Sequence, residues 1–237
     1  MKTHIGTFLS IGSPAVTELA GEVGFDWVLI DLEHGCESEA ALPNQLRALR
    51  GSRTLAIVRV SAPHPDLIIR VLDWGADGIM VPHVDTVAQA RHCVDAAYYP
   101  PVGHRGVSRT VRAYGYGMRL PTGEMPKPII LAQIETAEGV ANAEQIAAVE
   151  GIDALFIGPA DLSYDLKARQ SALPYDDCLD IISNAAREHG KGCGILVRHA
   201  DDKDKLKGLG FTWLAMDSDL SLVREGFKRN IEIARTW

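Results

Sequence analysis

Eight short apolar runs alternate along this chain with segments of helical periodicity, and that rhythm admits few folds. The runs are Ile5–Leu9, Trp27–Ile30, Leu55–Val60, Gly78–Val81, Ile129–Ile134, Ala154–Ile157, Gly192–Val197 and Trp213–Met216. Near-continuous apolar stretches of this length suit strands covered on both faces. Helical periodicity falls between them, over Pro14–Val23, Asp66–Trp74, Thr86–Ala97, Ala137–Ala148, Tyr175–His189 and Leu220–Arg235. Ser13 before Pro14 has the chemistry of an N-cap, and Gly75, Gly151 and Gly190 stand where helix C-caps are expected. Strand and helix in alternation predict an α/β fold, a parallel (β/α)8 or TIM barrel, with residues 1–237 forming one domain. An open doubly wound sheet is the alternative, but no G-x-G-x-x-G follows the first run, which weakens its dinucleotide-binding version.

The 237 residues come close to the roughly 250 that such a barrel uses. A net charge of −7 argues against a nucleic-acid partner, which needs a basic face. Cys36, Cys93, Cys178 and Cys193 are scattered, with no CxxC pair and no zinc-finger spacing, as expected of reduced thiols. The start, MKTHIGTFLS, has no signal-peptide core, and no apolar run approaches the ~20 residues of a membrane span. A cytoplasmic protein without a membrane partner is the expectation. Tyr98–Pro128 breaks the rhythm: it holds five of the twelve prolines and Arg105, Arg109, Arg112 and Arg119. It is too long for a simple connector and reads as a functional loop.

Chemistry in a barrel of this kind sits at the C-terminal ends of the strands, and here those ends are polar. The second run leads into Asp31-Leu32-Glu33-His34, the third into Arg59, the fourth into Pro82-His83, the fifth into Gln133-Ile134-Glu135 and the sixth into Gly158-Pro159-Ala160-Asp161. Glu135 and Asp161 follow successive strands and so become neighbours on one rim. Two adjacent carboxylates repel, and a hard divalent cation compensates them; Glu135 could instead cap the next helix, or either acid could pair with an arginine. Arg59 at the mouth suits a carboxylate or phosphate ligand, or equally a salt bridge to Asp31 or Glu33. Asp31 three residues before His34 can orient a catalytic imidazole, although D-x-x-H is common by chance and His34 could be a solvated loop residue. His83 is a second candidate base. Gly103-His104-Arg105-Gly106 lacks phosphate-loop spacing and reads as a shaped turn.

Taken in order, several segments resemble the HpcH/HpaI family of metal-dependent (class II) pyruvate aldolases. They include Gly24–His34, Val58-Arg59-Val60, Gly75–Pro82, Pro100–Gly106, Gln133–Thr136 and Gly151–Leu162, and together they span nearly the whole chain. The resemblance implies a (β/α)8 barrel of the phosphoenolpyruvate/pyruvate-domain type. It also implies an oligomer, often a hexamer of paired subunits, that exchanges C-terminal helices and shares active sites. Glu135 and Asp161 would hold Mg²⁺, Mn²⁺ or Co²⁺. Arg59 would bind the pyruvate carboxylate and stabilise the enolate, His34 with Asp31 would form the base dyad, and Gln133 with Gly158, Pro159, Ala160 and Asp161 would line the keto-acid pocket. The substrates would be a small 2-keto acid and an aldehyde, as in aldolases of 4-hydroxy-2-oxoheptanedioate and of 2-keto-3-deoxy sugar acids. No lysine stands at a strand end to form a Schiff base. Arg109–Lys127 departs from the family pattern and is expected to shape the aldehyde site. Two other readings stand beside this one: a citrate-lyase-β-like acyl-CoA lyase, which lacks the dyad, and a barrel that binds a keto acid without turning it over.

Overall fold

A computed structural model of the chain describes residues 2–198 and 200–237. Eight parallel strands close into a barrel in sequence order: β1 His4–Leu9, β2 Trp27–Asp31, β3 Leu55–Arg59, β4 Gly78–Val81, β5 Ile129–Ile134, β6 Ala154–Ile157, β7 Gly192–Val197 and β8 Trp213–Ser218. Each apolar run is one of these strands. Around them lie α1 Pro14–Val23, α2 Leu42–Ala48, α3 Pro65–Asp73, α4 Val87–Ala97, α5 Ala137–Ala141, α6 Ala143–Ala147, α7 Pro159–Ala168, α8 Tyr175–Glu188, α9 Lys203–Gly208 and α10 Asp219–Ala234. Among the described residues no helix is long and apolar enough to cross a membrane.

Strand side chains alternate between the two faces of the barrel wall. Val28, Ile30, Val58, Ile79, Ile130 and Leu155 face outward and belong to the apolar layer beneath the helices. Phe8, Trp27, Leu29, Ile57, Met80, Leu131, Phe156 and Trp213 face inward and fill the barrel. Three aromatic rings at its centre meet at angles: Trp27 packs edge-on against Trp213 at 5.5 Å and against Phe156 at 6.1 Å between centroids. Glycine makes their space, since a Cβ on Gly6 would strike the Trp27 ring and one on Gly194 the Phe156 ring.

The closed end of the barrel carries a repeated clasp. Gly24, Gly75 and Gly151 adopt φ of 91°, 93° and 95°, which an L side chain resists, and each turns the chain from a helix toward an aspartate two residues on. Those aspartates accept backbone N–H groups at the start of the preceding strand: Asp26 from Ile5 at 2.9 Å, Asp77 from Ala56 at 2.8 Å and Asp153 from Ile130 at 2.8 Å. Three crossovers are thus pinned identically beneath β2, β4 and β6.

The differences from the sequence reading are local. The expected helix Ala137–Ala148 is two short helices meeting at Asn142, whose φ of −100° and ψ of 5° break the α geometry. Helices α2, α7 and α9 were unforeseen; α2 and α9 are only 7 and 6 residues long, too short to show a period. The larger correction concerns Tyr98–Pro128. It joins the C-terminus of α4 to the N-terminus of β5 and so lies at the closed end, away from the strand C-termini. There Arg105 pairs with Asp73 at 2.6 Å, and Arg112 donates to the carbonyls of Trp74 and Leu46 at 2.6 and 2.8 Å. Within one subunit this segment braces the barrel floor and does not shape an aldehyde pocket.

Candidate active site

The parity that buries Trp27 and Leu29 also turns Asp31 inward, and the parity of Leu55 and Ile57 does the same for Arg59. β2 and β3 are registered with Asp31 opposite Arg59. Their side chains meet in a two-point ion pair, Arg59 Nε to Asp31 Oδ1 at 2.9 Å and Nη2 to Oδ2 at 2.7 Å, both residues buried. Nη1 lies 2.9 Å from Glu33 Oε2. Burial opposes ionisation of Asp31, but the guanidinium and the backbone N–H groups of His34 and Glu33 outweigh it and hold the carboxyl below the usual carboxylate range. Burial likewise opposes the Arg59 charge, and the surrounding carboxylates reverse that.

The expected Asp31–His34 dyad takes a different form. Asp31 accepts the backbone N–H of His34 at 3.2 Å rather than its ring. The imidazole stands at the cavity mouth, two-thirds exposed, with Nε2 3.9 Å from Glu33 Oε2. Asp31 therefore fixes the turn that carries His34, and Glu33 is the acid facing the ring.

Across the rim, Glu135 is 1% exposed. Its Oε1 accepts the backbone N–H of His83 at 2.8 Å and lies 3.3 Å from that residue's Nδ1; its Oε2 accepts from Gln133 Nε2. His83 holds a φ of 51°, a left-handed conformation costly for a side-chain residue, which aims its N–H at the carboxylate. Burial raises the Glu135 pKa; the His83 N–H opposes the rise, while the charges of Asp161 and Glu33 add to it. Gln133 Oε1 is buried without a partner, and Glu33 Oε2, close as it is to Arg59, is not aligned for a hydrogen bond.

Carboxylates that repel one another beside orphaned oxygens are the setting of a hard cation. Donor atoms of Glu33, His83 and Glu135 lie within 4.8 Å of one another. Glu135 thus belongs both to this group and to the pair expected from sequence. Asp161 is exposed, on the first turn of α7, and its negative charge adds to the rise in the Glu135 pKa. The donors present fit a divalent metal ion.

A cavity of about 220 Å³ opens beside these groups, lined by Asp31, His34, Arg59, Gln133 and the segment Phe156–Asp161, with Phe8 and Leu196 as apolar walls. Gly158-Pro159-Ala160, read from sequence as a pocket-lining loop, is the start of α7. Pro159 has no N–H, and the N–H groups of Ala160 and Asp161 have no partner within the helix, so the cavity meets an anion-seeking helix N-terminus. Gly158 is required there, because a Cβ would strike Glu135 Oε2 and Gln133 Nε2. A larger cavity of about 650 Å³ lies at the opposite end of β3, but it is lined by arginines and its one acid, Asp77, is engaged with Ala56. The chemistry, not the volume, marks the site.

Residues 4–226 match the family described as HpcH/HpaI aldolase/citrate lyase. The chain belongs to that family. The enzyme is a carbon–carbon lyase of the class II pyruvate aldolase type. Its sequence is 37% identical over 233 residues to the 5-keto-4-deoxy-D-glucarate aldolase of Salmonella arizonae, covering 96% of this chain and 91% of that protein. Its fold superposes on an HpcH/HpaI aldolase/citrate lyase family protein from Burkholderia cenocepacia with a TM-score of 0.91 at 30% identity, covering 99% and 95% of the two chains. The citrate synthase SbnG is similar at a TM-score of 0.84 and 29% identity, covering 99% and 94%. The similarity to aldolases decides against the acyl-CoA lyase reading.

Glu33, Arg198, Ser10 and Ser218 complete the rim and were not singled out from sequence as site residues. Arg198 carried the same signal as Arg59, a charged residue directly after an apolar strand, one step past Val197.

The buried charge of Glu135 costs stability when no cation is bound. Glu135→Gln keeps the oxygen that meets the His83 N–H, and its amide NH₂ replaces the oxygen that Gln133 Nε2 donates to, so the Gln133 amide turns over and brings its unpartnered Oε1 to accept. In EDTA this variant is expected to melt above wild type, by about 2–4 °C for about 1 kcal/mol, and to lose most of the melting-temperature rise that Mn²⁺ gives wild type. A variant melting at or below wild type in EDTA contradicts this account of the site.

Proposed function

We propose that the enzyme cleaves, and in reverse forms, a 4-hydroxy-2-keto acid of the 2-keto-3-deoxy sugar acid class, releasing pyruvate and a hydroxyaldehyde. The observation that carries this reading is the buried Arg59, fixed by Asp31 and Glu33 on the wall of a cavity beside the Glu135 cluster. A guanidinium has five N–H groups; two are hydrogen-bonded to Asp31, and Glu33 pairs with Nη1 only as an ion, which leaves N–H groups for the keto acid. The pairing removes the entropy of orienting a long side chain and pre-sets the charge where an enolate develops. The relatives' substrate, 5-keto-4-deoxy-D-glucarate, is such a hydroxy keto acid and supports the class.

Bond cleavage needs the proton of the 4-hydroxyl to leave as the C3–C4 pair moves into the enolate, and a proton to reach C3 afterwards. His34, at the mouth and beside Glu33, is suited to take the hydroxyl proton, directly or through water. The Ala160 and Asp161 N–H groups and Arg59 hold the keto acid's oxygens. Gln133, held by Glu135, fixes the position of that carboxylate. We further propose that Glu135 and Asp161 hold Mg²⁺, Mn²⁺ or Co²⁺, with Glu33 and His83 in reach. A divalent ion there supplies Lewis acidity toward the 2-keto acid.

We also propose that α10 is exchanged with a second copy of the chain. After Ser221 none of its residues is buried, and Leu222, Phe227 and Ile231 are half or more exposed. A 16-residue helix with an unburied apolar face gains little from propensity alone.

Three outcomes are expected. EDTA should abolish exchange of the pyruvate methyl protons in deuterated water, followed by NMR, and Mg²⁺, Mn²⁺ or Co²⁺ should restore it; full exchange in chelator removes the metal from the proposal. His34→Ala should lower the aldol cleavage rate by about 10²–10⁴ while pyruvate affinity changes little; loss of affinity alone would show that His34 binds rather than transfers protons. Phe227→Glu should shift the particle to a smaller mass by light scattering, whereas a wild-type monomer would end the helix-exchange proposal.

A further inference from the structure

The cavity has two arginines on its lining, and they are differently engaged. Arg59 on β3 is buried, hydrogen-bonded to Asp31 and ion-paired with Glu33. Arg198 follows directly on β7, with inward parity set by Gly194 and Leu196, and lines the same cavity. Its nearest carboxylate oxygen, Asp217 Oδ1, is 3.8 Å from Nη1, beyond hydrogen-bond range, and already accepts the Ser218 N–H at 2.9 Å. Among the described residues Arg198 therefore has a loose ion pair and no hydrogen-bond partner, and it is half-exposed. In a closed barrel of eight strands, β3 and β7 stand four apart, so the two arginines face each other across the mouth.

We infer that Arg198 forms a second carboxylate subsite, which takes the carboxylate of the aldehyde half and makes the preferred substrate a keto diacid. The inference rests on the aldolase reading and adds to it the identity of the far end. A keto acid whose pyruvate half lies at Arg59 and the start of α7 extends its remaining carbons toward the opposite wall. Leu196 and Phe156 offer that segment no charge, and Arg198 is the group that does. The charge balance points the same way. Asp31, Glu33, Glu135 and Asp161 surround the site, and Arg59 is the guanidinium that pairs with them among the described residues, so a second substrate carboxylate enters a field that repels it unless a cation receives it. A guanidinium with unspent N–H pairs binds carboxylate in two-point fashion, and Arg198 has them.

The test compares two six-carbon substrates that differ at one end: 5-keto-4-deoxyglucarate, and 2-keto-3-deoxygluconate, in which a hydroxymethyl replaces the distal carboxylate. Wild type should favour the diacid in kcat/KM. Arg198→Ala and Arg198→Gln should lower kcat/KM for the diacid about ten- to a hundredfold, mostly through KM, and for the monoacid by no more than about threefold. Arg198→Lys should recover part of the loss for the diacid. Equal losses on both substrates, or a diacid rate untouched by the substitutions, overturn the subsite. Methyl-proton exchange of pyruvate by wild type is read on the same preparation. Its absence removes the aldolase reading itself, while exchange without diacid preference removes only the subsite.

Discussion

The Arg59–Asp31 pair sets the geometry on which the rest of the site depends. It joins β2 to β3 at matched register, inside the barrel mouth, where an unpaired ion would cost several kcal/mol. Asp31 cannot release Arg59 without stranding a buried charge, so the guanidinium keeps its place whether or not substrate is present. The same carboxylate accepts the N–H groups of Glu33 and His34. One aspartate thereby fixes the cation, the turn that follows β2 and the starting point of the His34 side chain. A buried ion pair is weak evidence of stabilisation; here its return is orientation.

Barrel parity explains why these groups meet at all. Every second residue of each strand faces the lumen, and the lumen is solid with Trp27, Phe156, Met80 and Trp213. Continuing the alternation by one or two residues past the packed layers brings Asp31, Arg59, Gln133, Glu135, Gly158 and Arg198 to the open end. The filled interior leaves no depth for substrate to sink, which confines it to the rim, and the aspartate clasps at the closed end keep the strands in register.

Most of this architecture could be read from the chain, because a buried strand must be apolar and the first charged residue after it must lie where the barrel opens. All eight strands follow from that, as does the placement of Arg59, Glu135 and Asp161. Partner choice could not be read. Arg59 was open between ligand and ion pair, and the structure shows the ion pair with N–H groups to spare. Asp31 was matched to His34 by spacing, yet the carboxylate meets the backbone, since a three-residue turn brings the N–H closer than the ring. Glu33 and His83 were visible as rim residues, but their approach to Glu135 depends on a left-handed φ at His83 that no local pattern announces. The loop Tyr98–Pro128 looked functional from its prolines and arginines, and only the order of elements shows that a helix-to-strand connection falls at the closed end.

The two ends of the cavity are built on different terms, and this bears on how one fold serves relatives named as aldolases and as a citrate synthase. At the keto-acid end the buried charged groups are held by neighbours: Arg59 by Asp31 and Glu33, Glu135 by His83 and Gln133. Removing Asp31 strands the buried Arg59 charge, so a substitution of that acid is penalised in folding as well as in chemistry. At the far end the charge rests on Arg198, half-exposed, loosely paired and supported by no network. A residue in that state can change with little cost to the barrel. On the proposed reading, substrate choice can vary on the β7 side while the groups between β2 and β6 proposed to form the enolate stay constrained by their own electrostatics.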